Sequence, residues 1–427
     1  MSLELILPEI FKNSKNLESR SPEYFEKSKA EKQNAKAYLE QFGLPTKNHE
    51  DWLYTQVQKF MAFRPFEHKT DLVQNVPDLL KVKDADHLVF VNGILNHALT
   101  EVTSAIKIEE NAIEENETFF DSLHALNTYL ALRSYQITLP KKLELTKPIV
   151  IVHLFDENAL NRIVAPKIKI LAEDFTKASF LEIFGTSNRD LYQYTVNAHL
   201  NLELKNNSHI EYVKVNAGAK KATHIAHTLN TIGRDSLLNL FTFDLGVLMS
   251  RENIESHLMD NNATSNHFGA ILLKKEEHGD VFTKVTHHKA HTYSEQVVKT
   301  VLAENAHGVF TGKLAVIKDA QQINASQLNN NLLLSKKAHI DTRPQLEVNA
   351  DDVKCAHGAT IGQLSKDEEF YLESRGLSKA KAKTMLCHGF LFEIVYKIEN
   401  SLIKEKLNQL IELELKNVDF ASAIEGN

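Results

Sequence analysis

Residues Gln322–Leu334 read QINASQLNNNLLL, with Asn329, Asn330 and Asn331 in a row inside a strand-like segment. A polar run of this kind suits stacked layers of chain, where like residues pile above one another as a ladder. Similar short runs recur on either side of it, from about Lys147 to Val348. They include PIVIVHLF, KIKILAE, SFLEIF, HIEYVKV, LLNLFTFDL, QVVKTVLAE, GVFTGKLAVI and AHIDTRPQLEV. Val, Ile, Leu, Phe and Thr fill these runs, and Asn, Gly, Asp or Lys clusters separate them. Helical periodicity is almost absent across this region. Two architectures fit the pattern, a pair of packed sheets or a β-solenoid. The number and shortness of the strands and the Asn ladder favour the solenoid, although no strict sequence period is visible.

The flanks have a different texture. Ser21 stands as a helix cap with Pro22 at the first position. The helical pattern EYFEKSKAEKQNAKAYLEQF follows, and Gly43 and Pro45 stop it. HLVFVNGIL (His87–Leu95) reads as a strand and turn, and FFDSLHALNTYLALR (Phe119–Arg133) returns to helical spacing. After the β region, Ser365 and Glu368 form an S-x-x-E capping box. The helix KDEEFYLESR should end at Gly376. Ser378 starts another, with Met385, Leu386, Phe390, Ile394 and Ile398 as its apolar positions. SLIKEKLNQLIELELKNV follows, with Leu402, Ile403, Leu407, Leu410 and Ile411 on one stripe. The expected plan is a mostly helical N-terminal domain over 1–146, a β-helix core over 147–352 and a helical C-terminal domain over 353–427.

Bulk properties narrow the function. Of 427 residues, 43% are hydrophobic and 25% charged, as in a folded soluble protein. The net charge of −7 gives no electrostatic reason to expect nucleic acid or an anionic membrane as partner. No apolar run approaches the ~18 residues of a membrane span. The N-terminus has no positive n-region and no small-residue cleavage site, so a secretory signal is not expected. Two cysteines make no disulfide framework, and a reducing cytoplasm fits with both thiols free.

Several motifs raise chemistry. HHKAH holds His287, His288 and His291, but its surroundings read strand–loop–strand, so the helical i, i+4 metal pair fails and surface or loop histidines are expected. His224 and His227, three apart in a strand, should face opposite sides. GVFTGK (Gly308–Lys313) is one residue short of a phosphate loop and continues with Leu314 where Ser or Thr is required. No G-x-S-x-G elbow or H-E-x-x-H helix is present. Asp341, Glu347, Asp351 and Asp352 crowd near the end of the β region, which raises a β-helix carbohydrate-active enzyme as an alternative. A His-rich metal-binding protein is another. Acids scattered at a strand end are usually solvated, and a secretion signal would accompany the first alternative.

VKCAHGATIGQL (Val353–Leu364) holds Cys355 and, two residues on, His357. On a strand such a pair points the same way, about 6.6–7 Å apart along the chain. A thiolate and an imidazole could then converge on one ion or sulfur species, His357 favouring the thiolate. Two ligands leave a tetrahedral site half empty, so a partner chain would have to supply the rest. Equally, Cys355 could be a small hydrophobe with His357 hydrogen-bonded nearby. Cys387, in the helical TMLCHGFLF, reads as core packing.

The segment Pro344–Val395, which contains Cys355–Ala356–His357–Gly358–Ala359–Thr360, closely resembles the signature of the SufB/SufD family of the SUF iron–sulfur cluster assembly system. GLPTKNHEDWLYT (Gly43–Thr55), FFDSLHALNTYLA, and GVFTGK followed by QQINASQLNNNLLLS are similar to further family motifs in the same order. The Cys–Ala–His–Gly–Ala–Thr wording resembles the SufD branch; the SufB branch usually reads Cys–Glu–His–Glu–Ala–Thr and carries further cysteines. The resemblance implies a right-handed parallel β-helix between helical domains. It implies a non-catalytic scaffold that pairs with a SufB-type paralogue and binds a SufC-type ATPase through the helices from about Ser365 to Val395. It further implies support of iron acquisition and nascent cluster formation, an association of the complex with reduced flavin, and no cofactor tightly held by this chain alone. His357 matches the family histidine proposed to join a SufB cysteine at the interface, with a metal shared across it, and Cys355 matches the neighbouring family cysteine. The exposed ends of a solenoid also allow a homodimer when the chain is alone.

Overall fold

The computed structural model describes residues 3–14, 17–57, 61, 64–67, 73–113, 117–190, 193–418 and 420. Short strands come first: β1 (Arg64–Pro65), β2 (Asp86–Val91), β3 (Ile94–Leu95), β4 (Lys107–Glu110) and β5 (Tyr135–Leu139). Next are β6 (Ile149–Phe155), β7 (Arg162–Val164), β8 (Lys167–Ala172), β9 (Lys177–Thr186), β10 (Thr195–Leu204), β11 (His209–Asn216), β12 (Thr223–Ile232) and β13 (Leu237–Asp244). The remainder are β14 (Met249–Leu258), β15 (Thr264–Leu273), β16 (His278–His287), β17 (Tyr293–Leu302), β18 (His307–Val316), β19 (Ile323–Leu333), β20 (His339–Val348) and β21 (Val353–Gly362).

From β8 onward each strand pairs in parallel with the strand two places along, which makes two facing sheets wound as one coil. One sheet runs β20-β18-β16-β14-β12-β10-β8-β5-β4, and the other β21-β19-β17-β15-β13-β11-β9-β6-β2-β3. The architecture is therefore a parallel β-solenoid of about eight turns rather than a sandwich. Thr195 lies beside Thr223, Thr223 beside Met249, Met249 beside His278, His278 beside His307 and His307 beside His339. Successive turns thus take 28, 26, 29, 29 and 32 residues, which is why no fixed period shows in the sequence. Strands from before and after the expected core, β2, β5 and β21, belong to the same two sheets.

The coil turns sharply at stacked corners. Asn207, Asp235, Asn262, His291 and Gln322 each take a left-handed backbone there. Asn and Asp tolerate this conformation through local side-chain hydrogen bonds, so three of the five corners match sequence to geometry. The corner amides bond to the next turn: Asn207 N–H donates to Arg234 O (2.9 Å) and Gln322 N–H to Asp352 O (2.6 Å). Inside the coil an apolar cluster gathers Ile151, Phe180, Ile170, Leu202, Tyr212, Leu240 and Ile254.

Helices cover the flanks. The single helix expected after Ser21 is two, α3 (Pro22–Lys27) and α4 (Lys29–Phe42), interrupted at Ser28, whose hydroxyl donates to Tyr24 O (2.6 Å). They follow α1 (Leu3–Asn13) and α2 (Leu17–Arg20). The next helix, α5 (Ser122–Leu130), is capped by Asp121. Buried Lys32 of α4 donates to the carbonyls of Thr128, Tyr129 and Ala131, closing the C-terminal end of α5. At the other end of the chain come α6 (Lys366–Ser374), α7 (Lys379–Tyr396) and α8 (Ser401–Leu415). Ser365, Ser378 and Asn400 cap them by accepting backbone amides. Helices α7 and α8 lie on the outer face of the second sheet, where Cys387, Leu391, Ile394, Ile403, Leu407 and Ile411 join one cluster with Val215, Phe241, Phe268 and Val301. Glu211 of β11 docks the α7–α8 turn by accepting the amides of Glu399 (2.6 Å) and Asn400 (3.1 Å). No helix among the described residues is long and apolar enough to cross a membrane.

Candidate functional site at the last turn

Strand β21 is the outermost strand of its sheet, with Cys355 opposite Ala325 and His357 opposite Gln327 on β19. In β19 the alternate residues Ala325, Gln327, Asn329 and Asn331 are buried, so Cys355 and His357 leave β21 on the inward side. Cys355 packs half-buried against the inner apolar cluster. Burial pushes its thiol above the ordinary value, so it stands protonated at neutral pH in the isolated chain. His357 is exposed, because no further turn lies over it among the described residues. Two ligating side chains thus reach the open end of the coil.

Beneath His357 runs a file that the sequence did not reveal. Register stacks Leu240, His267, Gln296, Gln327 and His357 in neighbouring turns. His267 Nε2 pairs with Thr242 Oγ1 (2.9 Å), and Gln296 Oε1 accepts from Thr283 (2.5 Å). The Gln327 amide is buried with no hydrogen-bond partner on either atom among the described residues. Each residue was visible as an alternate strand position; the column exists only once turn lengths are known.

The GLPTKNHEDWLYT motif clasps the outer face of the other sheet. Asp280 pairs with Arg251, which is fully buried under the Trp52 ring (4.3 Å), and Thr55 donates to the same carboxylate. Asp51 holds Lys313 (2.6 Å), and Glu50 accepts from Arg343 (2.7 Å). The motif therefore ties the N-terminal region to β14, β16, β18 and β20.

The remaining histidines sort by structure. His287 is not a surface or loop residue: it ends β16, fully buried, with Nδ1 on Thr292 Oγ1 (2.7 Å) and Nε2 on Ser294 Oγ (2.9 Å). His288 pairs with His257 (3.0 Å), and His291 occupies a corner. His224 approaches Glu252 (3.3 Å) and His227 approaches Asp121 (3.5 Å), on opposite faces of β12. Glu117, His124 and His199 converge, but the Lys167 ammonium holds both Glu117 oxygens (2.7 and 2.9 Å) and supplies the positive charge there. Gly308–Lys313 lies inside β18 and makes no loop.

On the C-terminal helices, α7 buries Ala382, Cys387, Leu391, Ile394 and Val395. Of the five expected apolar positions, Ile394 and Ile398 are buried and Phe390 packs against the same cluster, whereas Met385 is exposed. The helix is apolar on more than one side, so spacing alone did not select the face. Burial pushes the Cys387 thiol up to about 12, as in core packing. The second apolar side of α7 stays outward at Met385 and Tyr396, and Phe370 and Tyr371 of α6 are exposed as well. An open groove of about 750 Å³ between α6 and α7 is lined by Leu364, Tyr371, Leu372, Met385, Leu386 and Phe390.

Comparison with known proteins gives the family. Residues 155–390 match the family model described as SUF system FeS cluster assembly, SufBD core domain. The chain belongs to this family. It is 28% identical over 385 residues to the iron–sulfur cluster assembly protein SufD of Escherichia coli (strain K12), covering 87% of this chain and 90% of that protein. It is also 28% identical over 397 residues to an iron–sulfur cluster assembly SufBD family protein of Synechocystis, covering 86% and 87%. The SufD of Bacillus subtilis (strain 168) is 22% identical over 391 residues, covering 86% and 88%. Membership gives the chain a role in iron–sulfur cluster assembly. Its matched segment includes the whole of β21 and runs into α7.

Proposed function

We propose that the chain is a cytoplasmic, non-catalytic scaffold subunit of a SUF-type assembly complex. In this reading its last solenoid turn pairs with a SufB-type paralogue, and α6–α7 bind a SufC-type ATPase. The observation that carries the reading is the end of the coil. Strands β20 and β21 both finish their sheets. Leu346, Val348 and Ile361 are exposed there, beside Cys355 and His357. An unpaired strand edge is a template for another strand. Pro344 interrupts donors along β20, whereas β21 contains no proline and is the better pairing edge. A partner strand would bring the further ligands that two side chains cannot supply. His357, with Cys355 beside it, then forms one half of an interface site for iron and a transient Fe–S cluster, with reduced flavin elsewhere in the complex. The outward apolar groove of α6–α7 is the matching surface for the ATPase, in keeping with the absence of a phosphate loop here.

Co-expression with a SufB-type paralogue and a SufC-type ATPase tests the reading. A tag on this chain is expected to retain both at modest salt. Recovery of this chain alone, or only as its own dimer, overturns it.

A further inference from the structure

A second ligating set lies on the opposite sheet of the same end, outside the Cys355–His357 pair. His278, His307 and His339 open β16, β18 and β20 and stack in register on the outer face. Asp341 follows two residues after His339 and so shares its side. The Asp341 carboxylate lies 2.8 Å from His307 Nε2 and 3.3 Å from His339 Nε2. Ligand atoms around a tetrahedral divalent ion with bonds of about 2.0–2.2 Å sit about 3.3–3.6 Å apart. The cluster is therefore near ligand spacing before any ion enters.

Hydrogen bonding orients the His307 ring so that Nε2 faces the carboxylate. Thr55 gives its hydroxyl proton to Asp280. Its oxygen is then the acceptor for His278 Nε2–H (2.9 Å). His278 is buried, and Asp280, its neighbouring carboxylate, already holds the Arg251 guanidinium. His278 Nδ1 lies 3.2 Å from His307 Nδ1, and this contact holds the His307 ring. His307 Nε2 then faces Asp341 at 2.8 Å. A histidine whose far N–H is held by a second residue, with its near nitrogen aimed at a carboxylate, is the arrangement that orients metal ligands.

We propose that His307, His339 and Asp341 form a binding site for one divalent transition-metal ion of the Fe(II), Co(II) or Zn(II) class. Two imidazoles and one carboxylate suit these ions, with remaining positions open. His339 is 66% exposed on its side chain, so the ion enters from solvent without opening the fold. The site rests on this ligand geometry and not on the assembly role.

Anaerobic titration of the chelator-treated full chain with Co(II), read by visible absorption and by metal content, tests it. One ion per chain, with ligand-field bands and no sulfur-to-metal charge-transfer band, is expected. Binding should disappear in the His339→Ala/Asp341→Asn double variant, which removes one exposed and one half-buried side chain and no core residue, and persist in Cys355→Ser/His357→Ala. Circular dichroism of both variants should match the parent. No bound ion, a charge-transfer band, or binding retained in the His339→Ala/Asp341→Asn protein overturns the proposal.

Discussion

Single side chains carry both the stability and the chemistry of this molecule. Arg251 and Asp280 are a buried pair that also receives Thr55 and stacks under Trp52. Asp280→Asn leaves a buried guanidinium without its counter-charge, and removing one partner of such a pair costs about 3–5 kcal/mol. Denaturant unfolding of the variant should show a loss of that order; a loss below about 1 kcal/mol would mean that water reaches Arg251. At this scale the sequence was informative for Cys355 and His357, because two residues on one strand share a side whatever the fold. It was misleading for His287. Its run looked like a loop, whereas the strand continues to His287 itself and the corner begins only at His288. The His307–His339–Asp341 set was invisible, since its members lie 32 and 34 residues apart and meet only through register.

At the scale of elements, the capped helices and most strands could be read directly. Ser365, Ser378 and Gly43 mark the helix ends where the caps were expected. The buried side of α7 was read only in part, at Ile394 and Ile398 but not Met385, because a helix with apolar residues on two faces is resolved only by the sheet beneath it. Strand β21 is the element on which the proposed pairing depends. Ile361 projects from it and is 54% exposed. Ile361→Asp would place a charge in the joined edge without removing a packed core residue, so thermal unfolding of the isolated chain should be nearly unchanged. Retention of the SufB-type partner should fall sharply in a pull-down at modest salt. Full retention would move the interface away from this strand.

The whole molecule is a coil whose interior holds many polar side chains, and this shapes its response to pH. Burial pushes His227, His267, His278 and His287 down to about 4. Each contributes stability that is present above its unfolded value near 6.5 and is lost as pH falls toward 4. Burial raises Asp244 and Glu277 to about 7, and these two act in the opposite direction, losing their contribution as pH rises from about 4 to 7. Four histidines outweigh two carboxyls, so thermal midpoints should drop between pH 6.5 and 4; a flat or rising profile over that range would contradict the buried-histidine account. The solenoid itself was legible from its many short strands, but the expected Asn ladder is absent: Asn329, Asn330 and Asn331 lie between Val298, Lys299 and Thr300 on one side and Ala359, Thr360 and Ile361 on the other. The period was not legible, because corners vary the turn from 26 to 32 residues. The most direct test of the central claim is the activity of Fe–S enzymes in cells that depend on this chain for cluster assembly, comparing the native chain with His357→Ala. His357 is exposed and carries little of the fold. The expected result is a variant present at normal abundance, still bound to its partners, with Fe–S enzyme activity strongly reduced. Native Fe–S enzyme activity in that strain would contradict the role assigned to the last turn.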